Sequence, residues 1–539
     1  MEQRILIIGL DGATWDVLSP AIEGGYMPTL KRLRDEGAWG PLRSTIPAIT
    51  PAAWSSFQTG CNPGQHGVLD FSWWDRTTRK LNFVSSRNLK HTLWQRLGQS
   101  GGRVGVINVP MTYPPQPLNG YLITGILTPS RESDFTYPPD LKQSLLEAID
   151  GYHIFNLSNI GDLYRSEELG RSFLEKMVRI AGLRVQAVDF LLKREPLDAL
   201  MVHFQVSDVV QHALWHWLDP KHPRFDPDRQ RDTFDLFYRP LDQHIAEVIR
   251  LYQQRCGTDS LTCVLSDHGF QLHRMRFNLG VWLYQQGYLS LCSKDLSARR
   301  LKQITQKLRI GKLLRPFLSA QKMQSMEKKI VSSIPGIVWE KSRAFASGRS
   351  GEGYIYLLEE GTAREHTAQA IIEGLLALRY PGTGEPIVQA VHRKENLYHG
   401  SAMDRVPDLI IIPADGYSCT GTCRPQEGLF ISVTDRVDFH QGKHHPDGIY
   451  IFHGPAVKPI RQAANLIDLS CTLSALSGAD TSGMEGIRLK PCFNLTDAQW
   501  KKSETTSGGM DSAAAETDEI YSVEDEEQIR KRLEDLGYL

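Results

Sequence analysis

Seven side chains, spread over five short segments of this chain, have the chemistry of a two-metal phosphate site. Two divalent cations held about 4 Å apart can clamp the attacking and leaving oxygens of a phosphoryl transfer, and they bind through carboxylates and neutral imidazoles. The chain offers three carboxylates, three imidazoles and one hydroxyl for this purpose: Asp11, Thr50, Asp208, His212, Asp267, His268 and His444. Any one segment alone indicates little, but together they predict phosphoryl chemistry.

Thr50 is the candidate nucleophile. It lies between Pro47 and Pro51, whose fixed φ angles stiffen the chain, and a helix is predicted to begin just after it. A hydroxyl at a helix N-terminus gains from the positive end of the helix dipole, and free backbone N–H groups there can hold phosphate oxygens. Taken alone, a threonine in this setting is more often a simple helix cap. The other six residues favour the nucleophile.

The candidate metal ligands follow predicted elements at spacings that let them converge. Asp208 and His212 are four residues apart, so on a helix they share one face. Asp267 and His268 follow a predicted buried strand and can reach one ion from a tight turn. The simpler alternatives are a helix cap beside a surface histidine for the first pair, and an ordinary turn for the second. His444 is followed by another histidine, so the sequence leaves open which of the two imidazoles is the ligand.

Composition and charge restrict the class of protein. The 539 residues are 41% hydrophobic and 23% charged, with a net charge of −1, as expected of a soluble globular protein without a global attraction for nucleic acid. The apolar run that begins at Ile5 meets Asp11 too soon for a signal peptide, and no run approaches the roughly 18 apolar residues of a membrane span. We therefore expect a cytoplasmic protein whose eight scattered cysteines are reduced thiols.

Short apolar runs alternate with helical patterns along the chain. Such runs are typical of strands buried on both faces, and their alternation with helices predicts a mostly parallel α/β sheet. Ligands of parallel sheets bind beyond the carboxyl ends of the strands, where Asp11, Asp208 and Asp267 follow their runs. Pro28–Glu36 and Glu167–Leu192 are predicted helices. The predicted strands are Ile5–Leu10, Val104–Val109, Ala199–Phe204, Leu261–Leu265, Leu409–Ile412 and Ile449–Phe452.

The remaining segments divide the chain into predicted parts. A catalytic α/β core occupies 1–294 and 346–500, interrupted at 295–345 by a basic helical insertion that suits a cap or lid. A flexible linker at 501–521, rich in Ser, Thr, Gly and Ala, and a C-terminal helix at 522–539 follow. The simplest interpretation of the insertion is a solvated helical face. Peripheral contact with a membrane surface or with an anionic substrate is the alternative.

Taken together, the motifs resemble those of the alkaline phosphatase superfamily, specifically its type I phosphodiesterase/nucleotide pyrophosphatase family. The resemblance covers most of residues 4–490 and implies an alkaline-phosphatase-like three-layer sandwich, with a mostly parallel central sheet and a helical cap insertion. It also implies a two-metal hydrolase with a phospho-threonine intermediate. It rests on Gly9-Leu10-Asp11-Gly12, Met27-Pro28-Thr29-Leu30, Thr50-Pro51-Ala52-Ala53-Trp54, Thr59-Gly60-Cys61-Asn62-Pro63-Gly64-Gln65-His66-Gly67, Ser266-Asp267-His268-Gly269 and Gly442-Lys443-His444.

The resemblance also implies a division of the ligands between the two ions. Asp11, Thr50, Asp267 and His268 would surround one ion, and Asp208, His212 and His444 would hold the other. Zinc is the expected metal and manganese the alternative, because mixed Asp/His sites bind both.

The chain departs from the family pattern at two places. Many relatives carry glycine where this chain has Gln211. Nucleotide pyrophosphatases carry an asparagine shortly after the nucleophile, where this chain has Ala52, Ala53 and Trp54. These departures leave the phosphate-contacting residue and nucleotide specificity open.

Three functions are compatible with the sequence. The first is hydrolysis of a phosphodiester or pyrophosphate bond in a small-molecule, lipid-linked or sugar-linked substrate. The second is a phosphotransferase or mutase, which the 295–345 insertion would favour if it excluded water. The third is a non-catalytic binding protein with a relic site, which the presence of all seven candidate residues argues against. A nucleic acid polymer is not an expected partner, and the oligomeric state stays open.

Overall fold

The computed structural model describes residues 3–154, 167–292, 336–348, 351–435, 440–501 and 520–535, which divide into two units. All seven candidate site residues belong to the first unit. Most of the predicted 295–345 insertion and of the 501–521 linker lies outside the described residues, so the predicted domain boundaries stay a prediction. The first unit comprises Met1–His273, Leu397–Val406 and Thr434–Leu539, and the second comprises Arg274–Asn396 and Pro407–Val433.

The first unit is built around a sheet whose central strands are parallel. Ile5–Leu10 pairs with Ala199–Phe204 on one side and with Leu261–Leu265 on the other, so their carboxyl ends meet at one edge. All three strands are buried along their whole length, as their apolar sequences predict. Within the described residues the sheet has ten strands, in the order Ile460–Arg461, Ala38–Arg43, Asp447–His453, Leu261–Leu265, Ile5–Leu10, Ala199–Phe204, Val104–Ile107, Gly120–Ile123 and Thr136–Tyr137, with Ala464–Asn465 pairing beside Ala38–Arg43.

Helices cover both faces of this sheet. Side chains alternate along the central strand, so Leu6 and Ile8 enter one apolar core while Ile5 and Ile7 enter the other. Burying one such side chain fully stabilises the fold by about 1.5–3 kcal/mol. The first core is covered by Trp15–Glu23, Pro28–Glu36, Glu167–Arg194, Val206–Leu218 and Arg239–Cys256, and the second by Thr50–Thr59, Leu93–Gln99 and Leu466–Leu476. The predicted three-layer α/β architecture is therefore observed.

Three observed strands differ from the predicted ones. The run Ile449–Phe452 lies within the longer strand Asp447–His453, which is antiparallel to both of its neighbours. The run Val104–Val109 is extended only to Ile107, because Asn108 adopts a φ of +55° that ends the strand. The run Leu409–Ile412 does form a strand, Leu409–Pro413, but in an antiparallel sheet of the second unit. An apolar run indicates a buried strand without indicating which strands pair with it.

The second unit contains two small sheets. Its antiparallel sheet has the order Ala344–Ser347, Gly353–Leu357, Leu409–Pro413 and Val388–Arg393. Its other sheet has the order Tyr417–Thr420, Met275–Asn278 and Phe430–Ser432. Its longer helices are Leu279–Gln285 and Gly361–Leu376. The short elements of the first unit are Pro63–His66, Ser72–Asp75, Lys80–Phe83, Leu141–Ala148, Pro227–Thr233, Gly269–Leu272, Gly442–His445 and Asp497–Lys501.

The C-terminal helix Val523–Asp535 packs against the rest of its own unit. Ile529 and Leu533 are fully buried, and the guanidinium of Arg532 donates to the backbone carbonyl of Ile126 at 2.9 Å. The predicted C-terminal helix thus docks through the face that carries Ile529 and Leu533. In the part of the chain that the structure describes, no helix is both long enough and apolar enough to cross a membrane.

His66 makes the stability of the fold depend on pH. Its imidazole is buried, and because the Val68 N–H donates to Nδ1 at 3.2 Å, the proton of the neutral ring lies on Nε2, 3.0 Å from Ser56 Oγ. Burial lowers the pKa of His66 from 6.5 to about 3. As pH falls through this interval the unfolded chain binds a proton that the folded chain does not. The free energy of unfolding therefore decreases, by about 1.4 kcal/mol per pH unit for this one site.

We expect the free energy of unfolding of the His66→Gln variant to depend less steeply on pH than that of the wild type, by up to about 1.4 kcal/mol per pH unit. This difference in slope is independent of any change in stability at neutral pH. Denaturant unfolding of the wild type and the variant between pH 6.5 and 4, both in chelator, measures the two slopes. Equal slopes would contradict a neutral, buried His66.

Candidate active site

The structure brings all seven candidate residues together at the carboxyl edge of the sheet. Their positions follow from their elements. Asp11 directly follows the strand that ends at Leu10. Asp267 and His268 follow the neighbouring parallel strand, which ends at Leu265, after one intervening serine. The other residues lie on elements packed beside this edge: Thr50 on Thr50–Thr59, Asp208 and His212 on Val206–Leu218, and His444 on Gly442–His445. All seven side chains are buried, with exposed fractions of 9% or less.

Two simple alternatives from the sequence do not hold. Thr50 is the first residue of its helix rather than its cap, which is Ile49, and no side-chain capping bond is made there. Likewise the cap of the helix that carries Asp208 is Gln205, and Asp208 lies in the first turn. Both polar side chains are therefore available to the site.

One group of ligand atoms surrounds His268 Nε2. This nitrogen lies 3.3 Å from Asp267 Oδ2, 3.7 Å from Asp11 Oδ1 and 3.3 Å from Thr50 Oγ1. The hydroxyl of the candidate nucleophile and the two carboxylates thus approach the same imidazole nitrogen, as a shared cation would require.

A second group is formed by Asp208, His212 and His444. Asp208 Oδ1 lies 3.4 Å from His212 Nε2 and 3.3 Å from His444 Nε2, and the two nitrogens are 3.0 Å apart. Ligands placed tetrahedrally around zinc at about 2.0–2.1 Å are separated by about 3.3–3.4 Å. The spacing of these three atoms therefore suits one small cation.

The two groups adjoin each other. The rings of His268 and His444 are stacked with centroids 3.7 Å apart. Ligand atoms of Asp208, His268 and His444 also lie within 4.8 Å of one another, as do those of Asp11, Asp267 and His268. On distance alone His268 could belong to either group. Its 3.3 Å approach to Asp267 Oδ2 favours the group that contains Thr50.

Backbone carbonyls orient the three imidazoles. His212 Nδ1 lies 3.0 Å from the carbonyl of Gly442, His444 Nδ1 lies 3.2 Å from that of Ala48, and His268 Nδ1 lies 3.2 Å from that of Gly269. A carbonyl accepts, so each Nδ1 donates its proton and each Nε2 directs a lone pair into the site. This is the tautomer that binds a metal ion.

The carboxylates are held by one oxygen each. Asp11 Oδ2 accepts from His203 Nε2 at 2.9 Å and from Trp54 Nε1 at 3.2 Å, while Asp267 Oδ1 accepts from the Gly12 N–H at 3.2 Å. The other oxygens, Asp11 Oδ1 and Asp267 Oδ2, are buried and have no hydrogen-bond partner among the described residues. A buried carboxylate oxygen left in this way is costly unless a cation binds it. The residues present therefore fit divalent metal ions.

Burial is the main cause of the shifted pKa values of these groups. Burial raises the pKa of Asp267 well above its ordinary value, and the charge of Asp11 raises it further. Burial also raises the pKa of Asp11, and it lowers the pKa of His212 to about 4 and that of His268 well below its usual range. Burial alone would raise the pKa of Asp208, but the neighbouring histidines hold it below its ordinary value. Neutral imidazoles beside crowded carboxylates leave a deficit that cations would fill.

The structure also answers one question that the sequence left open and adds residues that the sequence did not indicate. His444 directs its ring into the site, whereas His445 Nδ1 accepts from the Asp447 N–H at 3.1 Å, within its own turn. His203 and Trp54, which hold Asp11, were not predicted. A histidine inside an otherwise apolar strand, Ala199–Phe204, was the available signal for the first of them.

Among solved structures, the chain is similar to human ectonucleotide pyrophosphatase/phosphodiesterase 5, with 14% identity, 92% of this chain and 100% of that chain covered, and a TM-score of 0.50. It is also similar to phosphonoacetate hydrolase from Sinorhizobium meliloti 1021 in complex with phosphonoformate, with 14% identity, 93% of this chain and 95% of that chain covered, and a TM-score of 0.53. At this identity the likeness shows the fold alone.

Two further comparisons concern the sequence. No curated protein matches the chain. The model of one family, described as type I phosphodiesterase/nucleotide pyrophosphatase, matches residues 5–447. That range includes every candidate site residue.

Proposed function

Because the chain belongs to the type I phosphodiesterase/nucleotide pyrophosphatase family, we propose that it hydrolyses a small phosphodiester or pyrophosphate substrate through a phospho-threonine intermediate on Thr50. The proposed site holds two divalent cations, with zinc as the first expectation and manganese as the second. Asp11, Thr50, Asp267 and His268 would hold one cation, and Asp208, His212 and His444 the other.

The observation that carries this proposal is the position of Thr50. Thr50 is fully buried at the N-terminus of a helix, and its hydroxyl oxygen lies 3.3 Å from His268 Nε2. In the same site, two buried carboxylate oxygens have no hydrogen-bond partner among the described residues. The positive end of the helix dipole favours an anionic phosphate at the same place. The presence of this hydroxyl together with all six candidate ligands argues against a relic binding site.

The proposed reaction has two displacement steps. First, Thr50 Oγ attacks phosphorus opposite the leaving oxygen, so a bond forms between Thr50 and phosphorus while the ester or anhydride bond breaks. Then water attacks the same phosphorus, which restores the Thr50 hydroxyl and releases the phosphate product. Two bound divalent cations would lower the pKa of the Thr50 hydroxyl and neutralise charge on the phosphate oxygens.

Turnover of a chromogenic phosphodiester by the purified protein tests the proposal. Chelator-treated protein should be inactive, and zinc or manganese should restore release of the chromophore together with up to two bound ions per chain. Bound metal without turnover of any diester or pyrophosphate would contradict the hydrolase. A chain that binds no metal would contradict the site itself.

The same assay distinguishes hydrolysis from transfer. With an added alcohol, a hydrolase forms the phosphorylated alcohol only in proportion to the alcohol's share of the solvent. A phosphotransferase forms it preferentially and slows when the alcohol is withheld. The family match favours hydrolysis, so we propose the hydrolase. The 295–345 insertion, which would favour a transferase if it formed a water-excluding cap, lies largely outside the described residues. The cytoplasmic location expected from the sequence stays a prediction.

A further inference from the structure

Two side chains outside the proposed ligand set hold one oxygen of Asp11. His203 Nε2 lies 2.9 Å and Trp54 Nε1 lies 3.2 Å from Asp11 Oδ2, and both donors are buried, with exposed fractions of 2% and 0%. An indole N–H only donates and a carboxylate only accepts, so the direction of these bonds is fixed. With Oδ2 saturated, Oδ1 is the oxygen that faces His268, at 3.7 Å from its Nε2.

The packing around these donors fixes their orientation. The His203 and Trp54 rings meet edge to face, with centroids 5.0 Å apart and an interplanar angle of 86°. Gly9 is the register partner of His203 in the parallel strand pair, and a Cβ at Gly9 would lie 2.7 Å from Trp54 Cη2. Only glycine leaves room for the indole at this position. The glycine, the indole and the imidazole therefore form one rigid support beneath Asp11.

We infer that His203 and Trp54 are positioning residues for the cation bound by Asp11, and we name the pair the carboxylate clamp. The inference rests on the proposed function, because it presumes that this cation is present. Groups that orient a metal ligand typically change metal affinity or activity by about 10–100-fold when they are removed. The clamp has no bond to Asp208, His212 or His444 among those the structure shows for the described residues, so it should act on one ion and leave the other in place.

A histidine and a tryptophan buried beside a strand are more often part of a core than of a metal site. That simpler role makes a different prediction, because a residue that only packs should lower the stability of the fold and affect both ions alike. The number of ions retained, measured apart from activity, distinguishes the two roles.

The test is competition for zinc between the protein and a chromogenic chelator. The variant His203→Leu replaces the donor by an apolar side chain of similar volume. The variant His203→Gln has an amide N–H that can restore the hydrogen bond to Asp11. Trp54→Phe removes the indole donor together with part of the ring volume, so its effect is compared with that of a packing control. Phe57→Leu is the matched control, because Phe57 packs edge to face on Trp54 at 5.7 Å without touching Asp11.

We expect His203→Leu to lower the affinity for one of the two zinc ions by about 10–100-fold and to leave the affinity for the other unchanged. Trp54→Phe should lower the affinity for the same ion by a smaller factor. His203→Gln should recover most of the loss, and Phe57→Leu should bind both ions like the wild type. Retention of both ions at wild-type affinity in His203→Leu and Trp54→Phe would overturn the inference, as would parallel loss of both ions with loss of folding. A wild type without zinc would instead contradict the proposed site, and the inference with it.

Discussion

Replacing Thr50 by valine is expected to lower turnover of a phosphodiester by about four orders of magnitude or more, because the nucleophile is lost while side-chain volume is kept. The substitution also removes one of the four proposed ligands of the first cation, while Asp11, Asp267 and His268 remain. Thr50 is fully buried, and its hydroxyl lies 3.3 Å from His268 Nε2. Steady-state release of the chromophore with saturating zinc, normalised to bound metal, measures the effect.

Thr50→Ser is the matched control, because it keeps the hydroxyl and removes only a methyl group. We expect it to retain turnover within about 10–100-fold of the wild type. Acid quenching during turnover should trap phosphate on the peptide that contains residue 50 in the wild type and in the serine variant, but not in the valine variant. If the valine variant turned over like the wild type, water rather than Thr50 would be the nucleophile.

Local patterns were sufficient to predict several of the elements that carry the site, although not the strand Gly442–His445 that carries His444. The short, mainly apolar runs Ile5–Leu10 and Leu261–Leu265 are typical of strands buried on both faces, and both strands have the predicted bounds. The spacing of Asp208 and His212 needed a helix to bring them to one face, and the helix Val206–Leu218 provides it. The family predicted from these motifs is confirmed by the match over residues 5–447.

Other features depend on contacts between distant segments, which a single sequence does not reveal. Adjacent residues of a strand point to opposite faces, so the choice between His444 and His445 required knowledge of which face of Gly442–His445 meets the site. The clamp on Asp11 joins residues 192 and 43 positions away along the chain. The pairing of Leu409–Pro413 was likewise not encoded in its own apolar run.

Replacing Asp267 by asparagine is expected to have opposite effects on the metal-free and the metal-bound protein. Asp267 Oδ2 is buried without a hydrogen-bond partner among the described residues, and burial together with the charge of Asp11 raises the pKa of Asp267 well above its ordinary value. The metal-free fold thus favours the protonated acid. The contribution of the protonated Asp267 to the free energy of unfolding is complete below the ordinary pKa of an aspartic acid. It is lost as pH rises toward the raised pKa of the folded protein, at about 1.4 kcal/mol per pH unit.

Asparagine cannot ionise, and its carbonyl oxygen can still accept the Gly12 N–H that now bonds Asp267 Oδ1. In chelator, Asp267→Asn should therefore unfold at higher denaturant concentration than the wild type, with a difference that grows as pH rises above about 4. With zinc the order of the two stabilities should reverse, because the variant binds the ion beside Thr50 poorly. For the same reason the variant should lose about three orders of magnitude in turnover or more.

Asp242→Asn is the contrast. The buried carboxylate of Asp242 accepts from two backbone N–H groups at 2.9 Å each, so an amide there should destabilise the fold with or without metal. A metal-free Asp267→Asn protein less stable than the wild type at pH 8 would show that Asp267 serves the fold rather than a cation.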